Sequence, residues 1–447
     1  MTPALRIVEG AEAARSSVLR RDRYGGWLDP PLPDAVRVSI RETFGEDLGA
    51  AQVVARIIED VRSQGDDAVT RYSQRFDRST YTTLEVSREE IDSAFAEVPT
   101  DLLAALELAA DRVRSYHALQ ADHGPRSFVH AGIGMIVRPL ERVGIYMPGA
   151  GTSLPSTVIH TAVPGAVAEV GEIVGVTSAR ADGSIEPLKL VAAQLSGVGR
   201  LFRASGAQAI AALAFGTETI PRVDKVFGPG NVFVTLAKQQ LYGVVGIDAL
   251  NGPTETLVLA DESAEANLCA ADLLAQAEHD ELATPVLITT SRRLADAVAA
   301  EVDLQLSDLE RGAVARAAIE RGGAVVAADM DEAIDLANEF APEHLCLLTD
   351  NPELLVERIR HAGGVFVGER SPEALGDYVA GPSHVMPTGG SARYASPLTV
   401  FDFLKMISIV DVQEDELSDI GEQAALLARA EGLTGHARSI EARLEGR

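Results

Sequence analysis

The chain has 447 residues, of which 39 are Lys or Arg and 66 are Asp or Glu, giving a formal net charge of −27. Nucleic acids and anionic membranes bind proteins through Lys and Arg, so this acidity argues against both as partners. With 46% hydrophobic and 23% charged residues, the composition is that of a globular protein. A chain of this length predicts roughly three domains of about 150 residues, and we expect its ligand to be small.

The two cysteines, Cys269 and Cys346, are too few for a disulfide framework or a cysteine-rich zinc site. The first residues carry Glu9 and Glu12 and lack the apolar stretch of a secretion signal, and no membrane-length apolar run follows. We therefore predict a cytoplasmic protein in a reducing compartment.

Three zones follow one another along the chain. Up to about residue 122 the apolar residues recur at helical spacing, so this zone is predicted to be mainly helical. From residue 132 to 368 short β-branched runs alternate with Ala- and Leu-rich helical stretches, which indicates parallel sheets covered by helices. The runs are 173–176, 223–227, 256–259, 286–288, 324–327 and 365–367. Because this zone is too long for one doubly wound sheet, we predict two sheets with a break near Asn251-Gly252-Pro253.

The third zone is a tail, because the alternation stops beyond Gly381. Its pattern predicts a strand over 406–412 and two helices over 415–430 and 434–444. A tail with so few long-range partners of its own is expected to pack either on the body of the same chain or on a second subunit. The sequence pattern leaves both open.

Standard nucleotide-binding and hydrolase motifs are absent from the sequence. No glycine pair completes G-x-G-x-x-G, and there is no P-loop, H-E-x-x-H helix or G-x-S-x-G elbow. Glycine-rich turns at 146–149 and 227–231 could offer backbone N–H groups to an anion at a helix start. Tight turns that simply need glycine explain the same residues.

Four of the nine histidines lie in carboxylate-containing segments interrupted by Gly or Pro: His279, His344, His384 and His436. Gln276 precedes His279 by three residues at the end of a helix predicted over 264–281, so both face one side. Glu343 and His344 are adjacent where a helix gives way to a strand, which we expect to be the edge at which α/β sheets build sites. Adjacent Glu and His offer two bases of different pKa.

Each cluster taken alone has a plain structural explanation as a solvated helix end or surface pair. Together they favour an open catalytic metal site, since structural zinc would require cysteines. The available ligands are nitrogen and oxygen atoms, a set that suits zinc, manganese or iron.

Eight longer segments occur in a fixed order along the chain. They are Arg142-Val-Gly-Ile-Tyr-Met-Pro-Gly149, Gly206-Ala-Gln-Ala-Ile-Ala-Ala-Leu213, Gly228-Pro-Gly-Asn231, Asn251-Gly-Pro-Thr-Glu255, Leu274-Ala-Gln-Ala-Glu-His-Asp280, Ala341-Pro-Glu-His-Leu345, Gly381-Pro-Ser-His384 and Glu431-Gly-Leu-Thr-Gly-His436. In this order the sequence resembles the histidinol dehydrogenase family over nearly its whole length.

The resemblance implies an α/β fold with two incomplete Rossmann-like parallel-sheet domains and small helical and strand flanking domains, in an intertwined homodimer. The predicted division has four parts. Residues 1–39 with 399–424 form a small flanking domain, and 40–145 with 256–398 form the domain that carries the metal and catalytic residues. Residues 146–255 form the domain that contacts NAD, and 425–447 form a helical tail that reaches the partner subunit.

The resemblance further implies oxidation of L-histidinol to L-histidine through L-histidinaldehyde, with two NAD⁺ reduced in turn at a site with one Zn²⁺ per subunit. The implied zinc ligands are Gln276, His279, Asp377 and His436, and the implied catalytic bases are Glu343 and His344. These six side chains would also contact the substrate, together with Thr254, His384 and Glu431. NAD would contact Tyr146, Gln208 and Asn231. His436 and Glu431 would serve the partner's site.

The chemistry of the two bases predicts a division of labour. An imidazole ordinarily titrates near pH 6.5, which suits removal of the alcohol proton by His344. The aldehyde must be hydrated before its oxidation, so Glu343 is expected to activate water. Two positions depart from the family pattern: Ala150 stands where a second glycine is usual, and Thr254 stands where serine is commoner. Thr254 keeps the hydroxyl, whereas Ala150 is expected to change the approach of NAD in detail.

Two other functions fit the same residues. In a zinc-dependent hydrolase Glu343 would activate a metal-bound water. In a non-catalytic small-molecule binding protein of two α/β domains, Glu343 and His344 would only hydrogen-bond a ligand. Two sheet domains around one site favour a second bound molecule, which a simple hydrolase does not need.

Overall fold

The computed structural model describes residues 4–21, 32–81, 83–149 and 154–445. Within these ranges no helix is both long and apolar enough to span a lipid bilayer. The amino-terminal zone is mainly helical, as predicted, and begins with one short strand. Its elements are β1 (Ile7–Glu9), α1 (Ala11–Ser16), α2 (Asp34–Phe44), α3 (Ala50–Gln64), α4 (Asp66–Asp77), α5 (Arg88–Glu97) and α6 (Thr100–Asp122).

A five-stranded parallel sheet follows, with strand order β6-β5-β4-β7-β8. Its elements are β4 (Arg142–Met147), α7 (Pro155–Val167), β5 (Glu172–Thr177), α8 (Pro187–Leu195), β6 (Arg200–Arg203), α9 (Gly206–Phe215), β7 (Lys225–Phe227), α10 (Val232–Leu241) and β8 (Gly246–Ile247). The strand order reverses between β4 and β7, the point at which such sheets open a crevice. The β-branched runs do not include β4, in which Gly144 interrupts the apolar residues, and only the glycine-rich turn at 146–149 marks its end. A Cβ at Gly144 would lie 2.8 Å from Leu213 of α9, so close helix packing explains this glycine.

A six-stranded parallel sheet forms the second body, with strand order β1-β11-β10-β9-β12-β13. Its remaining elements are β9 (Glu255–Ala260), α11 (Ala266–Ala277), β10 (Thr284–Thr289), α12 (Arg292–Gln305), α13 (Gly312–Arg321), β11 (Gly323–Val326), α14 (Met330–Phe340), β12 (His344–Leu348), β13 (Gly364–Val367) and α15 (Glu373–Tyr378). The first sheet ends at β8 and the second starts at β9, so the predicted break near Asn251-Gly252-Pro253 is confirmed.

A small antiparallel sheet pairs two strands that precede the five-stranded sheet in the chain with one strand that follows the six-stranded sheet. Its order is β14-β3-β2, from β2 (Phe128–His130), β3 (Ile133–Pro139) and β14 (Leu404–Val410). The tail continues with α16 (Glu414–Ala430) and α17 (Thr434–Glu445), close to the predicted bounds. These helices pack on each other, with Gly421 against Leu444. Leu426 and Leu427 remain 69% and 65% exposed, so the pair leaves an apolar face uncovered in the single chain.

The predicted grouping of residues 40–145 with 256–398 differs from the structure. Helices α3 and α4 pack against α9, and α6 packs against α7, so all three cover the five-stranded sheet. Strand β4 crosses the predicted boundary at residue 145 and lies wholly in that sheet. Strand β1, predicted as part of a flanking domain, pairs with β11 of the six-stranded sheet. The physical reason is that α3 and α6 bury their apolar faces against α9 and α7, and these two helices in turn cover the five-stranded sheet. The other predicted boundaries stay a prediction.

Candidate active site

A cavity of about 670 Å³ lies between the two sheets. The five-stranded sheet contributes Tyr146 and Asn231, at the carboxyl ends of β4 and β7. The six-stranded sheet contributes Thr254, Glu343 and His344, at the amino ends of β9 and β12. The cavity lies at the expected edge, where a helix gives way to the strand that follows Glu343, although ligands of open α/β sheets usually bind at the carboxyl edge. Helices α11 and α14 run back along the sheet and bring their carboxyl ends to this edge, which places the functional residues there.

The two walls of the cavity carry opposite helix ends. Helices α7 and α10 begin at the wall of the five-stranded sheet, whereas α11 and α14 end at the wall of the six-stranded sheet. The side chain of Asn231 caps α10, and its Oδ1 accepts hydrogen bonds from the backbone N–H of Phe233 and Val234 at 3.1 and 3.3 Å. Helix amino ends favour anions and carboxyl ends favour cations. The cavity is therefore suited to hold an anionic and a cationic group on opposite sides.

Glu343 is held at the cavity wall by a short turn between α14 and β12. Ala341 ends α14 in the left-handed conformation, with φ of 52°, and Pro342 follows, so the chain turns at once into the strand. Oε2 of Glu343 accepts hydrogen bonds from Oγ1 of Thr254 at 2.6 Å and from the backbone N–H of Glu255 at 3.0 Å. Both donors favour the carboxylate, but burial outweighs them and raises the pKa of Glu343 to about 8. Such a carboxyl can exchange a proton near neutral pH.

His344 has a defined tautomer. Its Nδ1 lies 3.1 Å from the backbone carbonyl oxygen of Glu255, which can only accept, so Nδ1 carries the proton and donates. Nε2 is then the bare nitrogen and the one that can take a proton from a ligand. The carboxylate of Glu255 is itself paired with Arg21, whose Nη2 lies 2.8 Å from Oε2. Glu255 therefore holds both neighbouring bases with its backbone, while Arg21 holds Glu255.

Gln276 and Thr254 extend this network along the wall. The side-chain amide of Gln276 donates to Oγ1 of Thr254, which donates in turn to Glu343. Gln276 is buried at the end of α11, and its remaining amide oxygen is available to a ligand. The hydroxyl predicted to matter at position 254 is therefore used to orient a base.

His279, Asp377 and His384 form a second group at the cavity. Nε2 of His279 lies 3.8 Å from Oδ2 of Asp377, and Nδ1 of His384 lies 3.6 Å from Oδ1. Nδ1 of His384 also lies 2.9 Å from the backbone carbonyl oxygen of Asp377, to which it donates. Burial raises the pKa of Asp377, opposed by the charges of His344 and His279. Burial also lowers the pKa of His384 well below its usual range, so this imidazole stays neutral.

His160 does not line the cavity but supports His384 from behind, a role that the sequence did not reveal. Its ring stacks on His384 with centroids 4.2 Å apart, and its Nδ1 accepts from the backbone N–H of His384 at 3.2 Å. Burial lowers the pKa of His160 to about 4. His160 lies in the apolar helix α7 without a neighbouring carboxylate, so no local pattern distinguishes it from a core histidine.

The residues predicted to contact NAD separate in the structure. Tyr146 and Asn231 line the cavity, whereas Gln208 is 1% exposed in α9, with Nε2 3.4 Å from Oγ of Ser73. The structure thus does not bring Gln208 to the cavity. Ala150, where a changed approach of NAD was predicted, lies outside the described residues.

The residues predicted in the tail lie apart from the cavity of their own chain. Glu431 follows α16 and His436 lies in α17, and both are exposed. Three of the four predicted metal ligands, Gln276, His279 and Asp377, line the cavity together. Across the described residues no group of three or more His, Cys, Asp or Glu side chains is arranged to hold a metal. The three clustered donors are an amide, an imidazole and a carboxylate, which fit a zinc ion that takes a further ligand from elsewhere.

The two cysteines are free, buried thiols that do not line the cavity. Burial raises the pKa of Cys269 to about 12 and that of Cys346 well above its usual range. Neither thiol provides the thiolate that covalent chemistry on an aldehyde requires.

Two sheets around a cavity with paired bases and a cluster of nitrogen and oxygen donors define a two-domain α/β enzyme. The histidinol dehydrogenase family model matches residues 41–444. A histidinol dehydrogenase of Deinococcus radiodurans is 52% identical over 448 residues, covering 99% of this chain and 100% of that protein. One from Dehalococcoides mccartyi is 46% identical over 442 residues, covering 99% and 100%. The crystal structure of histidinol dehydrogenase from Elizabethkingia anophelis matches with a TM-score of 0.87 and 33% identity, covering 100% of this chain and 99% of that chain. The chain belongs to the histidinol dehydrogenase family, and it is an oxidoreductase.

Proposed function

We propose that this enzyme oxidises L-histidinol to L-histidine through L-histidinaldehyde, reducing two NAD⁺ in succession with one zinc ion bound per subunit. The observation that carries the proposal is the pairing of Glu343 and His344 on one strand edge, each held by the backbone of Glu255, at a cavity that also holds a donor cluster. A reaction with two hydride transfers and one water addition needs two bases with different tasks.

The donor cluster supports zinc binding by Gln276, His279 and Asp377, with His436 of the partner subunit as fourth ligand. Zinc bound there would hold the amine and imidazole of the substrate and so act as a template. The carboxyl ends of α11 and α14 face the same wall and favour the cationic amine.

The wall of the five-stranded sheet has features that favour binding of the dinucleotide. The amino ends of α7 and α10 face the cavity beside Tyr146 and Asn231, and such ends attract phosphate. In this arrangement the substrate and the dinucleotide approach each other from opposite walls, so a hydride can pass directly between them.

The two bases act in order. Nε2 of His344 accepts the alcohol proton as the hydride leaves for the first NAD⁺, which yields the aldehyde. Glu343, as carboxylate, then takes a proton from water as its oxygen adds to the aldehyde carbon, while protonated His344 returns its proton to the aldehyde oxygen and so forms the hydrate. Neutral again, His344 accepts a proton from the hydrate as the second hydride leaves, which yields the acid, and both bases then release their protons to solvent. Thr254 keeps the carboxylate of Glu343 oriented through both half-reactions.

A homodimer would complete the site. Glu431 and His436 lie on the tail, away from their own cavity, and α16 and α17 expose Leu426 and Leu427. Apolar faces of this kind mark interaction surfaces, and a second copy of the chain would cover them. The proposal assigns Glu431 to substrate binding and His436 to zinc binding in the partner's site.

Stoichiometry tests the function. The purified protein receives limiting L-histidinol and excess NAD⁺, and the NADH formed is counted by absorbance. Two NADH per histidinol are expected. One NADH would indicate an ordinary alcohol dehydrogenase, and none would contradict the proposal.

The two other functions that the sequence left open are less well supported. Membership in an oxidoreductase family argues against the zinc-dependent hydrolase and against the non-catalytic binding protein. The cytoplasmic location stays a prediction.

A further inference from the structure

A buried carboxyl group lies behind the catalytic histidine, outside the cavity wall. Glu373 begins α15, is 2% exposed, and accepts a hydrogen bond from Oγ1 of Thr256 in β9. The Sγ of Cys346 in β12 lies 3.8 Å from the same carboxylate oxygen, Oε2. These two contacts fix Glu373 against one face of the six-stranded sheet.

The register of the sheet places His344 next to both of these donors. Thr256 pairs directly with His344 across β9 and β12. Cys346 follows His344 by two residues on the same strand, so their side chains leave the same face. Glu373 is thus anchored by the cross-strand neighbour and the same-strand neighbour of His344.

The other oxygen of Glu373 has no hydrogen-bond donor in the described part of the chain. Oε1 is fully buried, a costly position for a carboxyl oxygen unless its charge serves a partner. Burial raises the pKa of Glu373, and the positive charge of His344 is the strongest influence that opposes this rise, so a proton on His344 favours the ionised carboxylate. The other ionisable groups that face Glu373 are Asp272 of α11 and Asp377 of its own helix, both acidic, and the thiol of Cys346.

His344 needs such a partner when it acts as a base. It is 4% exposed, and its Nδ1 proton is already committed to the carbonyl of Glu255. Once Nε2 takes a proton, the ring carries a buried positive charge, which is unfavourable without a nearby negative group. The carboxylates that face His344 besides Glu373 are Glu343, whose Oε2 lies 3.9 Å from Nδ1, and Asp377, and the proposed function assigns these two to water activation and to zinc. His160 and His384 are held neutral by burial and add no charge.

We propose that Glu373 is a positioning residue whose carboxylate balances the positive charge that His344 acquires each time it takes a proton from the substrate. Glu373 touches neither substrate nor dinucleotide and acts through His344. The inference rests on the proposed role of His344 as the base for the two hydride transfers.

The test is Glu373→Gln, which keeps the shape and the acceptor for Thr256 but removes the charge. Stopped-flow absorbance follows the first NADH formed per site between pH 6 and 10, so water activation by Glu343 does not contribute. The rate should fall by roughly tenfold. The ascending limb of the pH profile should move to lower pH by about one unit, because an imidazole without its counter-charge binds a proton more weakly. The KM for histidinol and the zinc content should stay unchanged.

Two further variants separate charge from packing. Cys346→Ala removes a contact to the same carboxylate without a change of charge, so the limb should stay in place. Glu373→Asp keeps the charge and should restore the position of the limb. If Glu373→Gln does not fold, Thr256→Val removes the hydroxyl that favours the ionised carboxylate and should move the limb in the same direction by a smaller amount.

If the ascending limb of the pH profile does not move in Glu373→Gln while wild type still forms two NADH per histidinol, this inference is overturned and the proposed function stands. Loss of zinc with an unmoved limb would also overturn it and would assign Glu373 to the placement of Asp377 through α15. A wild-type protein that forms no NADH from histidinol would instead overturn the proposed function.

Discussion

Nδ1 of His344 donates to the backbone carbonyl of Glu255 at 3.1 Å, and this one hydrogen bond decides which nitrogen of the imidazole faces the substrate. The backbone N–H of Glu255 donates to Glu343 at 3.0 Å, so the same peptide segment orients the second base. Since β9 and β12 are neighbours in the sheet, the two bases are fixed by strand pairing rather than by a loop. Rigid placement of this kind reduces the cost of aligning a base with its proton.

The first prediction concerns the division of labour between the two bases. Glu343→Gln should leave the first hydride transfer within a fewfold of wild type and slow the second by roughly 100-fold or more, because water activation is lost. His344→Ala should slow both. Rapid-quench measurement of histidinaldehyde and histidine per site distinguishes the two steps. Equal loss of both steps in each variant would contradict the assignment.

The second prediction concerns pH. Water activation needs ionised Glu343, whose pKa burial raises to about 8, so oxidation of added histidinaldehyde should rise with pH up to about 8 and then level off. Glu343→Gln should lose this limb.

The same raised pKa predicts a change in stability. The folded chain holds the Glu343 proton more tightly than the unfolded chain does, so this contribution is present below the usual glutamate pKa and is lost as pH rises through about 8. The free energy of unfolding of Glu343→Gln minus that of wild type should therefore be more positive at pH 9 than at pH 6. Urea denaturation at the two pH values measures it, and an equal difference at both would show that the pKa is not raised.

The third prediction concerns the ion pair between Arg21 and Glu255. Their side chains are 17% and 7% exposed, and Arg21 also donates to the backbone carbonyl of Phe340 at 2.7 Å. Arg21→Met leaves a buried carboxylate unpaired and should lower the free energy of unfolding by about 3–5 kcal/mol. The double variant Arg21→Met/Glu255→Gln should recover most of that loss. Urea denaturation of the four proteins gives the cycle, and simple additivity would show that the pair is not coupled.

The fourth prediction tests the shared site. His436→Ala and His344→Ala homodimers should both be inactive, but a mixed dimer should contain one site with an intact body and an intact tail. Mixing after mild dissociation should therefore restore activity up to a quarter of wild type, since half of the dimers are mixed and each has one good site. Mixing His344→Ala with Glu343→Gln, two body variants, is the matched control and should restore none. No recovery in the first mixture would place His436 in its own chain's site.

The fifth prediction concerns His160. His160→Phe keeps a ring stacked on His384 but removes the acceptor for the backbone N–H of His384. The KM for histidinol should rise by about tenfold, the cost of one buried unpaired donor. The pH profile between 6 and 9 should not move, because the pKa of His160 is lowered to about 4 and the ring is already neutral. A shifted profile would show that His160 titrates in the working range.

The sequence by itself determined the local features of this protein. Helical spacing and β-branched runs located the helical zone, the strands β5, β7, β9, β10, β11 and β13, the break between the sheets and the tail helices, because these patterns depend on chain neighbours alone. The motifs around His279, Glu343 and His384 indicated the family and named residues that meet at the cavity.

The tertiary structure decided what depends on residues distant in the chain. The apolar run of strand β4 is interrupted because its glycine serves packing against α9, and only the three-dimensional arrangement brings the amino edge of the second sheet against the carboxyl edge of the first. Gln208 is buried behind the wall although its motif was recognised, and His160 and Glu373 join the site only through stacking and strand register. Register pairs Thr256 with His344, residues 88 positions apart, and no local pattern encodes such a pairing.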